Sequence, residues 1–155
     1  MKIATTLFLA VVLTLSSYRN IKSEKNYSKK DSVVLYYIDS IKYLLDSLHV
    51  EEPKYVMAQA LWETGNFRCK NCAWQNNNMF GFRGKNGKYM SFDTWKESII
   101  YYSVWQKKRY PKYKSIHPKG SYLDFLKWCK YAVSPDYTKN IEKMYNWIQN
   151  NWSES

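Results

Sequence analysis

Apolar positions recur with the period of a helix along most of this chain. Val34, Ile38, Ile41, Leu45 and Leu48 step by four and by three, giving one core-facing stripe on a helix that Asp31 or Ser32 caps and that runs to about Leu48. Glu51-Glu52-Pro53 then opens a second helix, with acidic residues at its N-terminal end and proline in its first turn. Val56, Met57, Ala60 and Leu61 form its apolar face, and Gly65 supplies the stop. Beyond a loop, Asn86-Gly87 sits between Gly81–Gly84 and Lys88–Phe92, the pattern of a tight turn joining two short strands. Thr94-x-x-Glu97 is a capping box. It opens a third helix with Trp95, Ile99, Tyr102 and Val104 or Trp105 inward, and Tyr110-Pro111 is expected to end it. A basic loop follows to Gly120. Ser121-x-x-Asp124 opens a fourth helix to about Val133, and Ser134-Pro135 begins a fifth, with Ile141, Met144 or Tyr145, Ile148 and Trp152 on its inner stripe. The pattern predicts a mainly α domain over residues 31–152, carrying a small β-hairpin flap.

The N-terminus reads differently. Met1-Lys2, an apolar run from Ile3 to Leu15 and then Ser16-Ser17 fit a signal peptide over residues 1–17. The run is shorter than the roughly 20 residues that span a bilayer. No A-x-A step marks a cut, so an uncleaved anchor stays open; no cysteine follows the run, so a lipoprotein anchor is not supported. Residues 18–30 are polar and basic and read as a flexible lead-in. Export places the protein in the periplasm, the cell envelope or outside the cell. The full chain of 155 residues allows one domain, and a hydrophobic share of 45% argues against disorder. Aromatic residues make up 18%, more than a core needs, and the surplus suits stacking on sugar rings or bases. The net charge of +11 favours polyanions, among them nucleic acid, an anionic envelope and an acidic wall, without choosing between them. No nucleic-acid recognition motif appears, and export argues against that partner. No stable protein partner is implied.

One carboxylate stands out. Glu63 falls in the last turn of the second helix, where the carbonyl end of the dipole disfavours a negative charge. Trp62 and Phe67 flank it in sequence. Both effects raise its pKa, which is what a general acid needs, although an ordinary surface glutamate at a helix end fits the segment as well. Cys69, Cys72 and Cys129 leave several readings open. One C-x-x-C without a second pair is weak evidence for zinc, since His49 and His117 are the only histidines. A redox site would need a βαβ context. In an exported protein a Cys69–Cys72 loop disulfide is favoured, with Cys129 free or buried.

Four segments in order then carry a resemblance. Gln59-Ala60-Leu61-Trp62-Glu63-Thr64-Gly65 resembles the Q-A-x-x-E-(S/T)-G helix end of the glucosaminidases of the lysozyme superfamily, the flagellar-muramidase and autolysin type (glycoside hydrolase family 73). Asn77-Asn78-Met79-Phe80-Gly81-Phe82 resembles that family's N-N-(L/M)-F-G-(I/F). Phe92-x-Thr94-x-x-Glu97-Ser98-Ile99-x-x-Tyr102 and Tyr131-Ala132-x-x-Pro135-x-Tyr137 resemble its two later segments, with Ser134 where the family often has aspartate. The resemblance spans roughly residues 30–150. It implies a lysozyme-like helical domain and an endo-β-N-acetylglucosaminidase acting on the β-1,4 bonds of peptidoglycan strands, with no cofactor and no metal. A lytic transglycosylase and a non-catalytic wall-binding module are the rival readings.

By the same resemblance Glu63 is the acid, and Tyr137 lies beside it to hold substrate or orient water. Asn78, Phe80, Tyr102 and Tyr131 are the candidate substrate contacts, and Trp62, Trp74 and Trp105 the further groove-lining candidates. Some members place a second glutamate in the flap. Here Gly81–Phe92 contains no acid, so Asp93 is the nearest second carboxylate, though it also suits a capping role.

Overall fold

The computed structural model describes residues 29–152. Among them are five α-helices: α1 Lys29–Ser47, α2 Pro53–Glu63, α3 Trp95–Ile116, α4 Tyr122–Trp128 and α5 Tyr137–Asn151. A 3-10 turn, Ala73–Asn76, interrupts the long α2–α3 connection. The expected signal peptide lies outside the described residues, as does most of the expected lead-in. Lys29 and Lys30 are helical, so α1 takes in the last two residues of the expected lead-in. No helix among the described residues is long and apolar enough to cross a membrane.

α2 is the centre of the molecule. It packs chiefly on α5 and also on α1, while α1 lies against α3, and α4 touches both α3 and α5. Its buried surface runs well beyond the expected stripe: Val56, Met57, Ala58, Gln59, Ala60 and Leu61 are all enclosed. Small alanines let the neighbouring helices close around it. Ile38, Ile41 and Leu45 from α1, Ile99 and Tyr102 from α3, and Ile141 and Ile148 from α5 complete the core. Trp105, not Val104, turns inward on α3; Val104 is exposed.

Three expectations give way to tertiary contacts. α3 does not end at Tyr110-Pro111 but continues through Pro111 to Ile116. An internal proline costs about 3 kcal/mol in a lost hydrogen bond and crowding. Tyr110 and Tyr113, on either side of it, are buried against Phe125, at ring separations of 5.0 and 5.6 Å. Burying two such rings, at roughly 1.5–3 kcal/mol each, outweighs the proline. α4 stops at Trp128 instead of Val133. Lys130 takes a left-handed φ of 51°, and the Tyr131 amide bonds back to the Leu126 carbonyl at 3.0 Å, which turns Tyr131 inward. α5 accordingly begins at Tyr137, later than Ser134-Pro135.

The flap is a reversal of the chain without strands. Arg83 and Tyr89 form a single antiparallel bridge, and Gly87, at φ 74°, makes the turn. Two backbone bonds, Gly84 N–H to the Lys88 carbonyl and Met90 N–H to the Phe82 carbonyl, both 2.9 Å, join the arms, and side chains add to them. Asn77 donates to the carbonyls of Phe92 and Asp93, both at 3.0 Å. Asn78, fully buried, donates to the carbonyls of Phe82 and Met90 and accepts from the Phe82 amide. Two asparagines therefore pin both arms of the segment to the turn that precedes it.

Candidate active site

The end of α2 is built to hold one side chain in place. Thr64 is buried; its hydroxyl donates to the Ala60 carbonyl at 2.6 Å and accepts from the Phe67 amide at 3.0 Å. Gly65, at φ 55°, then turns the chain away. Glu63 is thereby left on the last helical residue, facing a cleft of about 490 Å³. The walls of that cleft come from three places: Trp62 and Glu63 from α2, Phe80–Arg83 and Tyr89 from the turn segment with Trp105 behind it, and Cys129–Ser134 with Tyr137 from the α4–α5 connection. Its volume and aromatic lining suit a short stretch of sugar chain.

Among the described residues Glu63 is the only carboxylate that lines the cleft. Enclosure by protein pushes its pKa up from 4.5 to about 7; a hydrogen bond from Tyr137 and the positive charge of Arg83 act the other way and are the smaller effects. The acid is therefore half protonated near neutral pH. Gly81 makes the enclosure possible. A Cβ at that position would sit 2.7 Å from Glu63 Oε2, and the glycine holds φ 67°, which a side chain would disfavour. The carboxyl group thus lies directly over a bare stretch of backbone. Arg83 is fixed at the cleft edge by donating to the Gly87 carbonyl at 2.7 Å and by stacking over the Tyr89 ring at 4.1 Å.

The residues singled out in the sequence separate into two groups. Glu63, Tyr137, Tyr131 and Phe80 come together at the cleft, as do Trp62 and Trp105. Tyr131 spends its hydroxyl on the Phe80 carbonyl at 2.7 Å and presents its ring, stacked 5.8 Å from Tyr137. Asn78 and Tyr102 do not line the cleft. Asn78 has every amide hydrogen bonded to backbone, and Tyr102 is buried beneath Phe80 with its ring 4.1 Å away. Asp93 is exposed just before α3 and is not among the lining residues; its amide donates to Glu97 Oε2 at 3.1 Å. Phe67 and Trp74 pack with Tyr37 and not around Glu63. The sulfurs of Cys69 and Cys72 adjoin in the loop after α2, with Cα atoms 5.9 Å apart. Cys129 is unpaired and half-buried, its thiol pushed up to about 11 by burial. Among the described residues no cluster of ligating side chains could hold a metal ion.

Gly81 and Arg83 were not singled out in advance. The F-G-F step was visible, but the nearness of Gly81 to a side chain eighteen positions earlier is a tertiary fact. Arg83 gave no signal beyond its place next to the motif.

A carboxylic acid with its pKa raised to about 7 in an aromatic-walled cleft is the kind of group that glycoside hydrolases use. The chain belongs to the glucosaminidase family: the family model described as mannosyl-glycoprotein endo-beta-N-acetylglucosaminidase matches residues 38–150. No curated protein matches it closely enough to stand as a relative.

Proposed function

We propose that this protein is an exported, lysozyme-like endo-β-N-acetylglucosaminidase that hydrolyses β-1,4 bonds in peptidoglycan strands, with Glu63 as its single carboxylic acid. The observation that carries this reading is the enclosure of Glu63, the only carboxylate among the described residues that line the cleft, with its pKa raised to about 7. Protonated Glu63 gives its proton to the glycosidic oxygen as that bond breaks and positive charge develops on the ring. The conjugate base is then held by Tyr137 and faces Arg83. Among the described residues no second carboxylate lines the cleft, so the other partner comes from the substrate or from water. The 2-acetamido group of an N-acetylated sugar is such an internal nucleophile. Water then adds to the sugar and its proton returns to Glu63. The rings of Trp62, Trp105, Tyr131 and Tyr137 supply flat apolar faces for the sugar rings. Asn78 and Tyr102 support these walls from behind. An oxidised Cys69–Cys72 pair in the adjoining loop accords with export.

The test is mass spectrometry of fragments released from purified peptidoglycan by the wild type and by Glu63→Gln. Reducing N-acetylglucosamine ends, absent with the variant, are expected. Anhydro-muramyl ends would turn the reading to a lytic transglycosylase with the same acid. A Glu63→Gln protein that digests wall as fast as wild type would overturn the assignment of the acid.

A further inference from the structure

Behind the cleft lies a continuous file of buried polar groups that core packing alone does not require. It begins at the backbone of Glu51. The Glu51 amide donates to Gln106 Oε1 at 2.9 Å, and Gln106 Nε2 donates to the Glu51 carbonyl at 2.8 Å. A backbone amide can only donate and a carbonyl can only accept, so these two bonds fix which end of the Gln106 amide is which. Gln106 Nε2 also donates to the Tyr122 hydroxyl at 3.1 Å. Tyr122 hydrogen-bonds Tyr102, Tyr102 donates to Gln59 Oε1, and Gln59 Nε2 donates to the Tyr137 hydroxyl at 3.2 Å. Tyr137 bonds Glu63. Gln59, Gln106, Tyr102 and Tyr122 are all essentially without solvent contact.

The direction of donation follows from satisfying every buried group. With Gln106 donating to Tyr122, the Tyr122 proton must go on to Tyr102 or to Gln59 Oε1, and the Tyr102 proton goes to Gln59 Oε1. Turning the Gln59 amide over would point its N–H at Tyr102 and remove the acceptor both hydroxyls use, leaving one of the two protons of Tyr102 and Tyr122 with no acceptor. A buried donor left in that way is costly, and among the described residues no buried side-chain polar atom lacks a partner. Gln59 Nε2 therefore faces Tyr137, and an amide nitrogen can only donate. The Tyr137 oxygen accepts from Gln59, and its own proton is left to point at Glu63.

We propose that Gln59 and Gln106 are positioning residues for the acid: they impose one direction of hydrogen-bond donation, from the Glu51 backbone through Tyr122, Tyr102 and Tyr137 into the Glu63 carboxyl group, and so leave the proton of the acid on the carboxyl oxygen that Tyr137 does not occupy. One oxygen of Glu63 is held as an acceptor and the other is the proton donor to substrate. This rests on Glu63 being the acid, and it adds residues that touch neither substrate nor Glu63. The charged or titratable groups facing Glu63 are Tyr137 on α5, Tyr131 on the α4–α5 connection and Arg83 on the turn segment.

The test is the titration of the Glu63 carboxyl carbon, followed by NMR in the full chain without substrate. Removing the donor with Tyr137→Phe is expected to move the midpoint up by about 1–2 pH units, the worth of a hydrogen bond to a charged group. Gln59→Leu frees Tyr137 to turn, and is expected to move it the same way by at least about 0.5 unit in wild type and not at all in the Tyr137→Phe background. Gln59→Glu keeps the shape of the site; once ionised it takes the Tyr137 proton for itself and is expected to move the midpoint further up than Gln59→Leu. Midpoints unchanged in both Gln59 variants, or a Gln59→Leu effect that persists without the Tyr137 hydroxyl, would overturn the proposal. Normal sugar release alongside unchanged midpoints sinks the relay and leaves the hydrolase. Coupled midpoints in a protein that releases no sugar do the reverse.

Discussion

Replacing Glu63 with glutamine removes one titration and little else, so its effect on stability isolates the strain stored in the site. The folded protein holds Glu63 at a pKa of about 7 against an ordinary 4.5. Below pH 4.5 the carboxyl group is protonated whether the chain is folded or not, and wild type and Glu63→Gln are expected to be equally stable. Between 4.5 and 7 the unfolded chain releases this proton while the folded one keeps it, so wild type loses stability as pH rises. Above 7 both forms are ionised and the deficit is constant. At about 1.4 kcal/mol per pH unit, and allowing for water at the mouth of the cleft, the plateau is about 2–3 kcal/mol in favour of the variant. The assay is urea unfolding of both proteins from pH 4 to pH 8, comparing midpoints at unchanged slope. A difference that does not vary with pH would refute the reasoning, and so would a variant less stable than wild type at pH 8. The result does not depend on finding the substrate.

Two further outcomes follow from the same geometry. Gly81→Ala places a methyl group 2.7 Å from Glu63 Oε2 at a φ of 67°; it is expected to lower wall digestion at least about tenfold by displacing the carboxyl group, with a stability loss of only about 1–2 kcal/mol. Wild-type activity in Gly81→Ala would show that the close approach is unimportant. The Cys69–Cys72 pairing predicts one thiol titratable in the unfolded, unreduced protein and three after reduction, with about 2 kcal/mol lost on reduction as expected for so short a loop. Three thiols before reduction would rule the pairing out.

Much of this site is local in origin and was legible in the residues alone. A helix needs only its repeating apolar positions and its ends, and Pro53, Gly65, Thr94-x-x-Glu97 and Ser121-x-x-Asp124 mark such ends within a few residues of the groups they affect. Glu63 was legible for the same reason: its place in the last turn is set by Gly65 two residues on. The resemblance added Tyr137, which no local spacing relates to Glu63.

Tertiary contact decided the rest. Pro111 reads as a helix end, because its local cost is fixed by covalent structure, whereas the burial of Tyr110 and Tyr113 that outweighs it depends on where α4 lies. Asn-Gly correctly placed a turn, but the ladder beside it stops at one bridge, and Asn77 and Asn78 hold the rest of the segment by side-chain bonds. Trp62 and Phe67 adjoin Glu63 in sequence, yet the groups that enclose the acid include Gly81 and Tyr137, far from it along the chain. The order Gln106, Tyr122, Tyr102, Gln59, Tyr137 follows no pattern in sequence. It exists because α2, α4 and α5 each turn one polar side chain, and α3 two, toward the same buried line, where every donor must find an acceptor. Periodicity and capping are properties of neighbours along the chain; enclosure and hydrogen-bond direction are properties of neighbours in space.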